Sequence, residues 1–464
     1  MRCSQLAVSS LLALLAAQPF LFAQETTWNG SEGDWFDVAN WSDGLPDATK
    51  SAVINQGEAR FEAPVTVGGD DGFLLGSIFT LPSANETLGV ARGSADLEVI
   101  GPVWIGRSAG GHGFSSRRDE GQLRLSGGDL TTVGSALGQS PDIYVGFTLG
   151  LARSGVAYDG VGHAELIDGS IRSAGEVSVG LQRSQSLGGG ITAVGQARLT
   201  RGDLVAVGRV RIGYSDIVRG SDTVAEGQVR ITSGDLRVAP RINPDTGAVL
   251  SLLSIGVALG DFFSGQRSAS GELLVEAGDV VADIIEVGAV RSIFTEINAT
   301  GRMKVRGGDI RMQSLQVGEL LIGGDAVQGV VELADGTVQG DQLLVYPFGD
   351  LVLDIGGEPE ETTEALSQET PYGKVRVDDV QIDGGLTARF LEGFQPEPGQ
   401  QFDLIVAEQL AGDFSLEVVG LDPEWLDQMT VVQTPTLLRL QFAVPEPTAA
   451  VLAAITLLGV AARR

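Results

Sequence analysis

One pattern returns seven times along the interior of this chain and limits what it can fold into. Units begin at Gly121, Gly162, Gly195, Gly227, Gly271, Gly301 and Gly329, and each carries a second glycine seven residues on, from Gly128 to Gly336. Positions +2 and +4 are always apolar, as in Leu123/Leu125, Val229/Ile231 and Val331/Leu333. Positions +1 and +3 are mostly polar, as in Gln122/Arg124, Gln196/Arg198 and Gln228/Arg230. A period of two is the signature of a strand. After the second glycine comes Asp, Ser or Thr and then an aliphatic residue, as in Asp129-Leu130, Ser170-Ile171 and Asp203-Leu204. A further strand ends in Val/Ile-Gly, as in Val145-Gly146, Val179-Gly180 and Ile212-Gly213. Each unit therefore reads as three short strands.

Successive units start 41, 33, 32, 44, 30 and 28 residues apart, and the two long intervals carry extra turn-rich segments, Ser135–Asp142 and Ala239–Gly247. Without them the unit is about 30 residues, the period of a chain that coils once per repeat and stacks each strand on its predecessor. One unit cannot bury both of its faces, so the units must stack. The expected fold is all-β, a parallel β-helix (β-solenoid) of about ten rungs, on the order of 50 Å long at ~4.8 Å per rung. A propeller blade needs four strands and about 40–50 residues, more than this unit offers. Glycine, 65 of 464 residues, suits the many tight turns.

The flanks divide the chain further. Residues 24–60 hold Trp28, Trp35 and Trp41, three of the five tryptophans, and read as an N-terminal aromatic cap over the open end of a solenoid spanning 61–350. Exposed tryptophans stacking on sugar rings are the competing use. Residues 351–443 read as a C-terminal all-β cap region, with an acidic loop at Glu358–Glu364.

Both termini read as addresses. Residues 1–23 place Arg2 before an apolar run from Leu6 to Ala17, as in a cleavable secretory signal peptide. The single cysteine, Cys3, falls inside it, so the exported form has no thiol chemistry. At residues 444–464, Val444-Pro445-Glu446-Pro447 is followed by an apolar stretch, 448–462, and by Arg463-Arg464. The stretch reads as a short transmembrane helix with the arginines on the cytoplasmic side.

This tail resembles the PEP-CTERM sorting signal of Gram-negative bacteria. The resemblance implies export, transient anchoring in the inner membrane, recognition by an exosortase, and cleavage near Pro445–Pro447 with release to the cell surface or extracellular matrix. The repeat itself resembles the T5SS/PEP-CTERM-associated repeat of autotransporter-type passengers, whose Gly-x-Leu-x-Ile-x-x-Gly-Gly pattern Gly121–Asp129 follows closely. That resemblance implies a right-handed parallel β-helix.

Charge narrows the partners. With 31 basic and 60 acidic residues the chain carries a formal −29, which argues against a nucleic-acid partner. Parallel β-helices can host polysaccharide lyases and glycoside hydrolases, so catalysis is the alternative reading. However, Asp129, Asp203, Asp235, Asp279 and Asp309 recur at one turn, where Asp satisfies backbone N–H groups after Gly, and they read as structural. No catalytic residue and no cofactor is expected, although the stacked aspartates leave room for a weakly held surface calcium ion. Gly68-Gly69-Asp70-Asp71-Gly72 is the nearest approach to a calcium-binding glycine–aspartate motif, and His112 and His163 lack an evident third ligand. The expected function is an exported surface or matrix structural protein, used in adhesion or exopolysaccharide association.

Overall fold

The computed structural model describes residues 24–69, 71–77, 86–109, 117–134, 140–150, 157–184, 190–217, 222–242, 249–260, 267–292, 297–321, 326–356 and 372–443. The signal peptide, the sorting tail with its helix 448–462, the loop 358–364, Asp70 and His112 lie outside them. Among the described residues no helix is long and apolar enough to cross a membrane.

Most coils have three strands, as in Arg117–Leu125, Leu130–Val133 and Ile143–Gly150, which form the first, second and third faces; from Ile310–Val317 onward the second and third faces are one continuous strand. Every face pairs in parallel with the coils before and after it. Among the described residues the first face is a continuous sheet of thirteen strands, from Glu32–Asp34 to Leu416–Val419. Twelve intervals at ~4.8 Å give a rod of about 58 Å, rather longer than ten rungs would make. Parallel pairing already begins at Gln24–Thr27, and it continues past residue 350 through Gly373–Ile382 and Gly385–Phe390. The coil thus overruns the 61–350 array at both ends.

Inward positions align rung on rung. Leu97, Leu130, Ile171, Leu204, Leu236, Val280, Ile310 and Val338 form one such column and are all fully buried. At ~1.5–3 kcal/mol per fully buried aliphatic side chain, these ladders are the main stabilising term.

The third strand does not stop at its Val/Ile-Gly, as the sequence suggests, but runs on through Phe147–Gly150. Likewise the first strand starts well before its glycine, at Tyr158. These extensions stack in register into a second, thinner layer, a fin projecting from the solenoid body. Two glycine columns make the neck. Gly146 is left-handed, with φ +67°, and a Cβ there would lie 1.9 Å from Val194 O. Gly162 faces it, and a Cβ would lie 2.2 Å from both Gly146 N and Ile105 O. The two backbones touch where any side chain would part them.

The ends are closed differently. Trp28, Trp35 and Trp41 are buried edge-to-face at the first coils, with centroids 5.2 Å (Trp28–Trp41) and 4.8 Å (Trp35–Trp41) apart, and Trp41 Nε1 donates to Trp35 O at 2.8 Å. Their rings offer no face to a sugar. At the other end an antiparallel hairpin, Met429–Thr434 with Leu437–Phe442, lies against Gln401–Ala411 over Phe390, Phe402 and Trp425. Antiparallel pairing ends the parallel stack.

Candidate functional site

The turn aspartates form one ladder between coils. The N–H of Asp129 donates to Asp96 Oδ1, Ser170 to Asp129, Asp203 to Ser170 Oγ, Asp235 to Asp203, Asp279 to Asp235, Asp309 to Asp279 and Thr337 to Asp309. All seven distances fall between 2.8 and 3.1 Å. The sequence places these carboxylates at a turn; the structure shows that each satisfies the next coil rather than its own turn. Their second oxygens meet second-face arginines, with Arg172 at 3.2 Å from Asp129, Arg237 at 2.5 Å from Asp235 and Arg311 at 3.3 Å from Asp309. Among the described residues no three His, Cys, Asp or Glu stand close enough to hold a metal ion. His163 Nδ1 lies 3.2 Å from Gln196 Oε1 on the outer surface.

The corner between fin and body on the third face was not anticipated. Trp104 stacks on Tyr144 at 4.1 Å and 9°, and the Arg107 guanidinium lies 4.1 Å from the Trp104 ring centre. Tyr144 donates its hydroxyl to Asp142 Oδ2 at 2.9 Å, and burial, with the Asp142 charge beside it, pushes that phenol up. A cavity of about 280 Å³ opens here between Asp71, Pro102, Ser140 and this stack. With Tyr144 and Arg107 packed against the Trp104 ring, little flat surface is left for a sugar. An aromatic residue directly before the Val/Ile-Gly, in Trp104 and again in Tyr144, was the available signal.

The exterior of the first face carries a different arrangement. A trough of about 260 Å³ lies over Gly195 and Gly227, with Val194, Glu226 and Ser270 along one wall and Gln196, Gln228 and Glu272 along the other. Beside it runs the +3 column, which pairs Arg60 with Arg92, Arg92 with Arg124, Arg124 with Glu165, Glu165 with Arg198, and Arg198 with Arg230. Arg60, Arg92, Arg124 and Arg230 have side chains 54, 49, 50 and 46 % exposed. Most of these arginines have acidic neighbours, such as Glu165 at 3.4 Å from Arg124 and Glu276 at 2.5 Å from Arg230. Arg198 is exposed and has no carboxylate within ion-pair distance among the described residues.

Farther along the same face lies a compact ion network. Glu332, 2 % exposed, accepts from Lys304 Nζ at 2.7 Å and Arg389 at 2.9 Å, and also from Arg302; Arg389 binds Asp354 at 2.7 Å. Burial pushes the Glu332 carboxyl up, but the hydrogen bonds from Lys304, Arg389 and Arg302 outweigh it and hold the pKa at about 2, against an ordinary 4.5. All of these acidic oxygens are engaged.

No protein-family model, curated protein or solved structure matches this chain.

Proposed function

We propose that this chain is an exported, exosortase-processed structural protein of the cell surface or extracellular matrix, used in adhesion or exopolysaccharide association, and not an enzyme. The observation that carries the reading is the rung-to-rung commitment of its repeated polar side chains. Every ladder aspartate from Asp96 to Asp309 accepts a backbone N–H of the next coil. A β-helix lyase or hydrolase needs carboxylates free to move protons. A scaffold needs them where they are.

Its partners, on this reading, are the secretion machinery, an exosortase recognising Val444-Pro445-Glu446-Pro447 and Arg463-Arg464, the inner membrane for as long as 448–462 stays attached, and an exopolysaccharide outside. Nucleic acid is not among them. Intact-mass spectrometry of the protein recovered from the medium of an exosortase-bearing Gram-negative host tests the sorting half. A C-terminus near Pro447 is expected; secreted protein that keeps Arg464 overturns processing.

A further inference from the structure

We propose that the arginine stripe on the first face seats a linear anionic polysaccharide, a polyuronate in chemical class, lying along the rod axis. This rests on the exopolysaccharide reading above and gives it a face and a sign of charge.

Five of six successive rungs place Arg at the +3 position: Arg60, Arg92, Arg124, Arg198 and Arg230, with Glu165 between. Five intervals at ~4.8 Å make a stripe about 24 Å long. Like charges directly opposite in a sheet are destabilising, and an alternating column would avoid that cost. The second face does avoid it: Arg172, Arg237 and Arg311 are separated by Val205 and Val281, and each meets a ladder aspartate. On the first face Arg60, Arg92 and Arg124 follow one another directly, as do Arg198 and Arg230; four of the five also meet Glu32, Glu58, Glu165 or Glu276, yet their side chains stay about half exposed, in a chain of net charge −29. Guanidinium groups match carboxylates bidentately, and a polymer with one carboxylate per sugar presents them in series.

The neighbouring +1 column fits the rest of such a ligand. Gln122, His163, Gln196 and Gln228 lie in register beside the stripe and offer donors and acceptors to sugar hydroxyls. Nucleic acid fits less well. No Phe, Tyr or Trp stands in these outward columns to stack on a base, and the overall negative charge repels a duplex with one charge per ~1.7 Å more strongly than a polymer with one charge per sugar.

Titration of the full chain with polygalacturonate, with dextran as the neutral polymer and with duplex DNA tests this. The stripe variant is Arg92→Gln/Arg124→Gln/Arg198→Gln/Arg230→Gln; the control removes four charges from the second face, Arg172→Gln/Arg237→Gln/Arg311→Gln/Arg376→Gln, Arg376 standing in the same column beyond Gln339. Circular dichroism and melting confirm that both fold. The expected result is salt-sensitive binding of polygalacturonate that weakens roughly tenfold or more in the stripe variant and within about twofold in the control. Equal loss in both variants, no loss in the stripe variant, or tighter binding of DNA overturns the stripe. Binding of dextran as tight as that of polygalacturonate and unchanged in the stripe variant overturns the stripe but leaves exopolysaccharide association standing. Binding of neither polymer removes both.

Discussion

The solenoid body and the fin are built from the same strands, yet their interiors differ. Inside the body the column from Leu97 to Val338 is Leu, Ile or Val at every rung, and the neighbouring columns are mostly aliphatic. Inside the fin one column reads Ser108, Thr148, Gln182, Ser215, Ala258 and Val290, all fully buried. It lies against Asp119, Gly160, Ala193, Ala225, Ala269, Ala299 and Val327. Small and polar residues at the N-terminal end give way to apolar ones toward the C-terminal end. Ser215 Oγ donates to Gln182 Oε1 at 2.9 Å, but Gln182 Nε2 and Ser108 Oγ have no protein partner among the described residues. A buried polar atom without a partner costs about 1–3 kcal/mol. The lesson is that stacking in register alone can order a thin layer of backbone, while stability comes from the aliphatic columns of the body.

The neck between the two layers is where a substitution should do most harm. Gly162→Ala drives a Cβ into two backbone atoms at once, so a loss above about 4 kcal/mol, or failure to fold, is expected in chemical denaturation. In the body, Leu204→Ala should cost about 2–5 kcal/mol through the cavity it leaves. Equal or smaller loss than in the fin would erase the contrast. The corresponding fin change, Ser215→Ala, should cost no more than about 1 kcal/mol, because it removes one hydrogen bond from a column already incompletely satisfied. Between them falls Asp235→Ala, at about 1–2 kcal/mol, since it strips an acceptor from the Asp279 N–H.

The smallest effect concerns acid. Glu332 titrates lower in the folded chain, at about 2, than its ordinary 4.5. Its contribution to stability is therefore fully present above the unfolded value and is lost as pH falls toward the folded one. Melting temperature recorded down this range should fall less steeply with acid in Glu332→Gln than in the wild type. Parallel curves would show that the network with Lys304, Arg302 and Arg389 carries no linked stability.

The body was legible because period two survives even when each side chain varies, and because the two glycines of each unit fix its phase. Coils before Gly121 were harder to see. Gly57 and Gly89 stand in register with Gly121, but the residues seven positions after them are Pro64 and Asp96, so their turns lack the second glycine. That is why Arg60 and Arg92 stayed outside the repeat and the arginine stripe was seen only as polar alternation at Arg124, Arg198 and Arg230. The fin was illegible for a local reason. A glycine after Val or Ile reads as a strand end, whereas Gly146 bends the strand without breaking its pairing, and only the partner column at Gly162 reveals why. The aspartates were legible as acceptors of backbone N–H groups at a turn, but the identity of the donor, one coil away, required three dimensions.

The central claim is that the polar groups of this rod hold coils together and present a surface, and that they do no chemistry. The trough on the first face gives that claim its sharpest trial, because Glu226 and Glu272 both line it. Incubation of the full chain with polygalacturonate and with neutral glycans, followed by chromatography of the products, should show intact polymer. Release of short fragments, abolished by Glu226→Gln or Glu272→Gln, would contradict the account and make the trough an active site.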